Sequence, residues 1–245
     1  MHLLIVAKQP LPGRAKTRLI PRFGPEGAAM LAAAALADTF DAALGCSADK
    51  VVVAFDGDPT GIVPAEFEVV PQVEGNLADR LQAAWDHAGA PGLQIGMDTP
   101  QVTAADLDVA FAALAADGTD AVLGPAEDGG WWAIGLARPL DDAFAGIPTS
   151  QADTGRLQLA RLRARARSTA LLPTMLDVDE PTDADAVAAL APHTRFGQTV
   201  VALDPLRGGA DPIPRPRTDT DTEREGLVGG EGVGVGMGDH VGAGR

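Results

Sequence analysis

HLLIVAKQPLPGRAKTRL, residues 2–19, runs from a strand into a loop and on to the approach of a helix. Leu3–Ala7 is a short, continuous apolar run, which suits a strand covered on both faces. Pro10, Pro12 and Gly13 then forbid regular structure, because each proline fixes φ and lacks an N–H, and glycine admits a turn. Farther on, the Ala-rich stretch Pro25–Leu44 reads as a helix. The same alternation recurs downstream, with strands expected at Val51–Phe55, Phe67–Val70, Leu93–Met97, Ala121–Leu123 and Trp131–Leu136. Helices are expected at Leu77–Ala88, Ala104–Ala116, Asp153–Arg167 and Asp183–Leu190. Two helix starts carry cap pairs, Thr103 with Asp106 and Thr182 with Asp185. The pattern predicts an α/β three-layer sandwich around a mostly parallel sheet, with ligands beyond the carboxyl ends of the strands.

Composition narrows the function. The chain has 245 residues and a net charge of −15, which argues against a nucleic-acid polymer held through its phosphates. No apolar run is expected to reach the roughly 18–20 residues that span a bilayer. The single cysteine, Cys46, cannot close an internal disulfide, so a reducing, cytoplasmic setting is expected. The acidity is uneven. Residues 1–25 hold Lys8, Arg14, Lys16, Arg18 and Arg22 and no acid, whereas residues 26–207 hold 27 acidic and 10 basic residues. From 208 onward the sequence has eleven of the 29 glycines and no apolar periodicity. The expected organisation is therefore one domain over 1–206 and a Gly-rich, disordered tail over 207–245.

Five segments at the predicted strand ends carry the candidate chemistry. In AKQPLPGRAKTRL (7–19), Lys8, Arg14, Lys16 and Arg18 flank Gly13 on a loop and could converge on nucleotide phosphates; the alternative is a solvated basic loop. The Walker spacing is absent. In IGMDTPQVT (95–103), Asp98 ends a strand where a nucleotide-bound metal would sit, although Asp before Thr-Pro also forms ordinary turns. GPAEDGGWWAIGL (124–136) offers Asp128 and the backbone of Gly129 and Gly130 to a substrate, or is an acidic turn; its tryptophans read as core or wall. In DVDEPTD (177–183), Asp177 and Asp179 are expected to diverge, leaving Asp179 alone to face a shared site. QVEGNLADRL (72–81) places a Gly75-Asn76 turn before a helix and could cover part of the same site. Arg161, Arg163, Arg165 and Arg167 read as solvated surface, and His2, His87 and His193 have no metal-ligand spacing.

Taken in order, 7–19, 72–81, 96–102, 124–136 and 177–183 resemble the motifs of small bacterial glycosyltransferase-like proteins related to 2-phospholactate guanylyltransferase. These have the GT-A fold of the nucleotide-diphospho-sugar transferase superfamily. The resemblance implies nucleotide and phosphate binding by Lys8, Gly13, Arg14, Lys16 and Arg18. It implies Mg²⁺ or Mn²⁺ on Asp98 with Asp179 as second ligand, and catalytic roles for Asp98 and Asp128. Gly75, Asn76, Gly129 and Gly130 fall in the implied substrate loops. Departures fall on the substrate side: Asn76 and Ala78 replace an acid and a glycine, Trp131 stands where tyrosine is usual, and Thr149 where tryptophan is expected. The implied reaction is metal-dependent glycosyl transfer from a nucleotide sugar to a small-molecule acceptor. The alternatives are nucleotidyl transfer from a nucleoside triphosphate to a phosphorylated acceptor, or nucleotide binding without catalysis.

Overall fold

The computed structural model of the chain describes residues 1–149, 151–166 and 168–204. The expected tail over 207–245 and Arg167 therefore lie outside the described residues. Seven strands form one sheet: β1 (His2–Lys8), β2 (Lys50–Asp56), β3 (Glu68–Pro71), β4 (Gly92–Ile95), β5 (Ala121–Pro125), β6 (Trp131–Leu136) and β7 (Thr169–Leu171). Their spatial order is β3-β2-β1-β4-β6-β5-β7, with every pair parallel except those involving β6. The helices are α1 (Ile20–Gly45), α2 (Leu77–Ala88), α3 (Ala104–Ala115), α4 (Thr154–Arg165), α5 (Pro181–Leu190) and α6 (Arg195–Leu203). This is the predicted α/β sandwich with a mostly parallel sheet. The chain builds β1, β2 and β3 outward on one side, then returns to lay β4 on the other side of β1. That reversal opens a crevice at the carboxyl ends of β1 and β4.

Alternation along the strands feeds two cores. Leu3 and Ile5 pack with Phe40, Leu107 and Phe111 on the α1/α3 face. Leu4 and Val52 pack with Leu81, Trp85 and Phe144 on the α2/α4 face. A third cluster joins α1 to α5 and α6 through Leu31, Val187 and Phe196. The stretch Thr17–Gly45 is long and apolar enough to cross a membrane by length and composition, which departs from the expectation that no run reaches that length. Its alanines nevertheless let neighbours approach closely, and most of it is buried within the protein. Gly24, at φ 71°, breaks the first turn from the rest, so the regular helix begins at Pro25 as expected.

The Thr103–Asp106 capping box is present. The Thr182–Asp185 cap is not: α5 starts earlier, with Glu180 as cap, Pro181 in the first turn and Asp183 reaching back to the Glu180 N–H at 2.7 Å. Proline lacks the N–H that a first-turn position leaves unpaired anyway, which moves the boundary. Two elements were not expected, β7 and α6. The first is three residues paired to β5, and the second is capped by Thr194 and anchored by Phe196 and Val200.

Candidate functional site

The loop after β1 turns at Gly13, whose φ of 74° is costly for other residues. Lys16 also adopts a left-handed conformation, φ 48° and ψ 45°, before a single 3-10 turn at Thr17–Leu19. That backbone drives its side chain inward, to 7% exposure, where Nζ pairs with Asp98 at 2.5 Å and donates to the Val178 carbonyl. Val178 N–H in turn donates to the Asp98 carbonyl at 2.8 Å. Lys16 thus ties the β1 loop, the end of β4 and the segment before α5 together. Arg18 pairs with Asp179 at 2.7 Å. Arg22 instead serves the fold, pairing with Asp185 at 2.5 Å and stacking over Phe23.

Two cavities open here. The smaller, about 350 Å³, is lined by Lys8, Lys16, Thr17 and Arg18 together with Asp98 and Asp179. The larger, about 510 Å³, has apolar walls that include Leu81, Trp131, Phe144 and Ile147. Arg18, Asp98 and Asp179 line both. Ala32 and Met97 in the smaller cavity belong to the α1/α3 core, whereas Leu81 and Phe144 belong to the α2/α4 core. The cavities therefore approach the sheet edge from opposite faces and meet at those three side chains. Arg14 lies on the exposed turn and lines neither.

The 126–130 turn joins β5 to β6 at the same end. Asp128 Oδ1 accepts from the Gly130 N–H at 2.6 Å, and both residues line the larger cavity. A Cβ on Gly129 would fall 1.9 Å from the Ala152 carbonyl oxygen, and one on Gly155 would fall 2.2 Å from that of Gly130. Only glycine permits this docking of the turn on the start of α4. Trp131 forms part of the wall, with its ring centroid 6.2 Å from Phe144, while Trp132 is buried and donates to Pro173. Gly75 and Asn76 do not line the cavity. Asn76 caps α2, and that helix contributes Leu77, Ala78 and Leu81. Thr149 lines it as well.

Asp177 and Asp179 both line the larger cavity, contrary to the expected divergence. Residues two apart in extended backbone share a side, and Val178 between them is fully buried in the α1/α5 cluster. Asp177 is the site residue that the sequence reading passed over. Burial, reinforced by the charges of Asp128, Asp179 and Asp98, pushes its carboxyl up to about 6. Its Oδ1 is buried without a hydrogen-bond partner among the described residues. Cys46 is a structural thiol, pushed up by burial and donating to the Ala43 carbonyl.

Among the described residues six carboxylates line the larger cavity, one with an orphaned oxygen, and suit a divalent cation. No three His, Cys, Asp or Glu side chains among the described residues form a ready-made cage. Magnesium needs none, since one or two carboxylates with ligand oxygens and waters complete its shell.

The fold is that of solved nucleotide-diphospho-sugar transferases and nucleotidyltransferases. Residues 30–151 match the model of a family described as an uncharacterized protein conserved in bacteria (DUF2064). A protein from Desulfovibrio desulfuricans G20, provisionally described as a nucleotide-diphospho-sugar transferase, is similar with a TM-score of 0.73 and 25% identity, over 84% of this chain and 97% of its own. Rv0371c from Mycobacterium tuberculosis H37Rv is similar in fold, with a TM-score of 0.51 and 19% identity over 76% and 96% of the two chains. So is CMP:2-keto-3-deoxy-manno-octonic acid synthetase in complex with CTP, with a TM-score of 0.51 and 13% identity over 78% and 98%. No curated protein matches the chain in sequence.

Proposed function

We propose that this chain is a cytoplasmic, metal-dependent glycosyltransferase-like enzyme that takes its sugar from a nucleotide-activated donor. The observation that carries the reading is the meeting of a cationic cavity and a larger apolar and acidic one at Arg18, Asp98 and Asp179. Lys8, Lys16 and Arg18 would hold the donor's diphosphate, with Lys16 as a compact charge and Arg18 as a planar fork. Asp98 and Asp179 would hold Mg²⁺ or Mn²⁺, and Asp177 would add to the negative field that retains it. When bound, the metal neutralises charge developing on the leaving nucleoside diphosphate. In the transfer step an acceptor hydroxyl oxygen would form a bond to the anomeric carbon, its proton passing to a carboxylate of the cavity, as the carbon–oxygen bond to the diphosphate breaks and its electron pair leaves with the nucleoside diphosphate. Lys16 and Arg18 stabilise the departing anion, and Asp128 faces the side from which the acceptor approaches. The Desulfovibrio relative supports the nucleotide-sugar class of donor.

A second reading, nucleotidyl transfer as in 2-phospholactate guanylyltransferase, is favoured by three cations crowded around one small cavity, which suits a triphosphate. Thermal-shift titration of the full chain with nucleotides and nucleotide sugars, with and without Mg²⁺ or Mn²⁺, tests both. A ligand at about 100 times its Kd adds roughly 2.7 kcal/mol to stability. A metal-dependent Tm rise with a nucleotide sugar is the expected result. A rise confined to nucleoside triphosphates, with diphosphate release once an acceptor is added, would replace glycosyl by nucleotidyl transfer. Binding without turnover would leave a nucleotide-binding protein.

A further inference from the structure

The inner wall of the larger cavity carries two deeply buried amides. Gln94 on β4 is 2% exposed and Gln158 on α4 is 1% exposed. Each makes one hydrogen bond to the protein through its amide, and the partner fixes which of its two polar atoms is so held. The Trp85 indole N–H can only donate and meets Gln94 Oε1 at 2.6 Å, so the Gln94 amide nitrogen keeps both its hydrogens free. The Ala143 carbonyl can only accept and takes an N–H from Gln158 at 2.8 Å, so Gln158 keeps its carbonyl oxygen. Neither remaining atom has a partner among the described residues, and both side chains line the cavity. The cavity therefore presents a fixed donor and a fixed acceptor beyond its apolar walls. Among the described residues its rim has six carboxylates, including Asp128, Asp177, Glu180 and Asp183, against which stands one cation, Arg18, already paired with Asp179.

The geometry points to an acceptor substrate that is free of phosphate, bears hydroxyl groups and has an apolar body, with Gln94 and Gln158 selecting its hydroxyls. This rests on the transferase reading only for the word acceptor; the cavity's preference stands on its own chemistry. A hydroxyl both donates and accepts, so it can satisfy the Gln158 oxygen or the Gln94 amide. A phosphate dianion only accepts, so it leaves the Gln158 oxygen unpaired and meets the rim carboxylates as like charge. The apolar walls and Trp131 cover the body.

Benzyl alcohol and benzyl phosphate differ only in this head group and serve as the probes. The ¹⁵N-labelled full chain is titrated with each near pH 7.5, following the side-chain amide signals of Gln94 and Gln158 and the indole signal of Trp131. Benzyl alcohol should move all three and bind at least about tenfold more tightly than benzyl phosphate, the factor that about 1.4 kcal/mol represents. Gln158→Met should weaken the alcohol and leave the phosphate unchanged, whereas Asp177→Asn should strengthen the phosphate and narrow the gap. Should Gln158→Met fail to fold, the Asp177→Asn comparison decides alone. Equal or tighter binding of benzyl phosphate, or an alcohol that leaves the Gln94 and Gln158 signals still, overturns the inference. A nucleotide thermal shift run on the same sample separates the two readings. Its loss with the alcohol preference intact removes the transferase reading alone, and its survival with a phosphate preference removes this inference alone.

Discussion

Lys16 and Arg18 are occupied by the same carboxylates that would hold a metal: Lys16 by Asp98 and Arg18 by Asp179. Phosphate drawing the two cations would free the two acids, so metal and nucleotide should each improve the other's binding. Calorimetric titration of Mn²⁺ with and without the nucleotide should show a coupling of about 5–150-fold; independent binding would sink this account. Asp98→Asn should lower metal-dependent nucleotide affinity by about tenfold or more, the usual cost of disturbing a metal's coordination. Asp177 adds a pH signature. A carboxyl held near 6 in the folded chain against 3.8 unfolded keeps its proton longer when folded. Its contribution to stability is therefore fully present below about pH 4 and is lost as pH rises through about 6. Asp177→Asn should stabilise the ligand-free protein near pH 7.5 by on the order of 1 kcal/mol, allowing for the solvent that reaches this half-buried group. Near pH 4.5 the gain in Tm should be much smaller, and an equal gain at both pH values would point to some other cause.

At the scale of the elements, the 126–130 turn and the start of α4 interlock through glycine. Gly129→Ala puts a methyl into the Ala152 carbonyl and should cost about 2–4 kcal/mol in urea denaturation, together with the larger cavity's ligand. Gly13→Ala, with a similar φ but open space around it, should cost only about 1 kcal/mol. Equal losses would mean that backbone conformation, not the close approach, dominates. How well each element could be read from sequence follows from the same physics. Leu77–Ala88 and Trp131–Leu136 occupy the expected bounds because local chemistry defines them, through the Asn76–Asp79 capping box and the glycine turn before β6. β7 is three residues whose identity comes from pairing with β5, which no local period encodes. α6 did leave a signal, a Thr194 cap with Phe196 and Val200 four apart, but in a stretch too short to stand out. Asp98 and Lys16 were legible as site residues, and the structure brings them into contact. Asp177 was not, because its significance lies in burial beside Asp128, a neighbour 49 positions away in the chain.

For the whole molecule, every described strand and helix lies within residues 2–203, and the three cores close among themselves. Deleting 208–245 should leave a single cooperative melt with a Tm within a few degrees of the full chain and nucleotide binding intact. A shift larger than the roughly 2–4 °C that 1 kcal/mol produces in a domain of this size would make the tail part of the fold. The two cavities entering from opposite faces of the sheet also constrain the kinetics. On the proposed reading each substrate would have its own cavity, the two cavities sharing only Arg18, Asp98 and Asp179 among their linings. Turnover should therefore pass through a ternary complex reached in either order. Initial-rate plots should intersect, each product should inhibit competitively only against the substrate sharing its doorway, and no covalent sugar–enzyme adduct should accumulate when the donor is supplied alone.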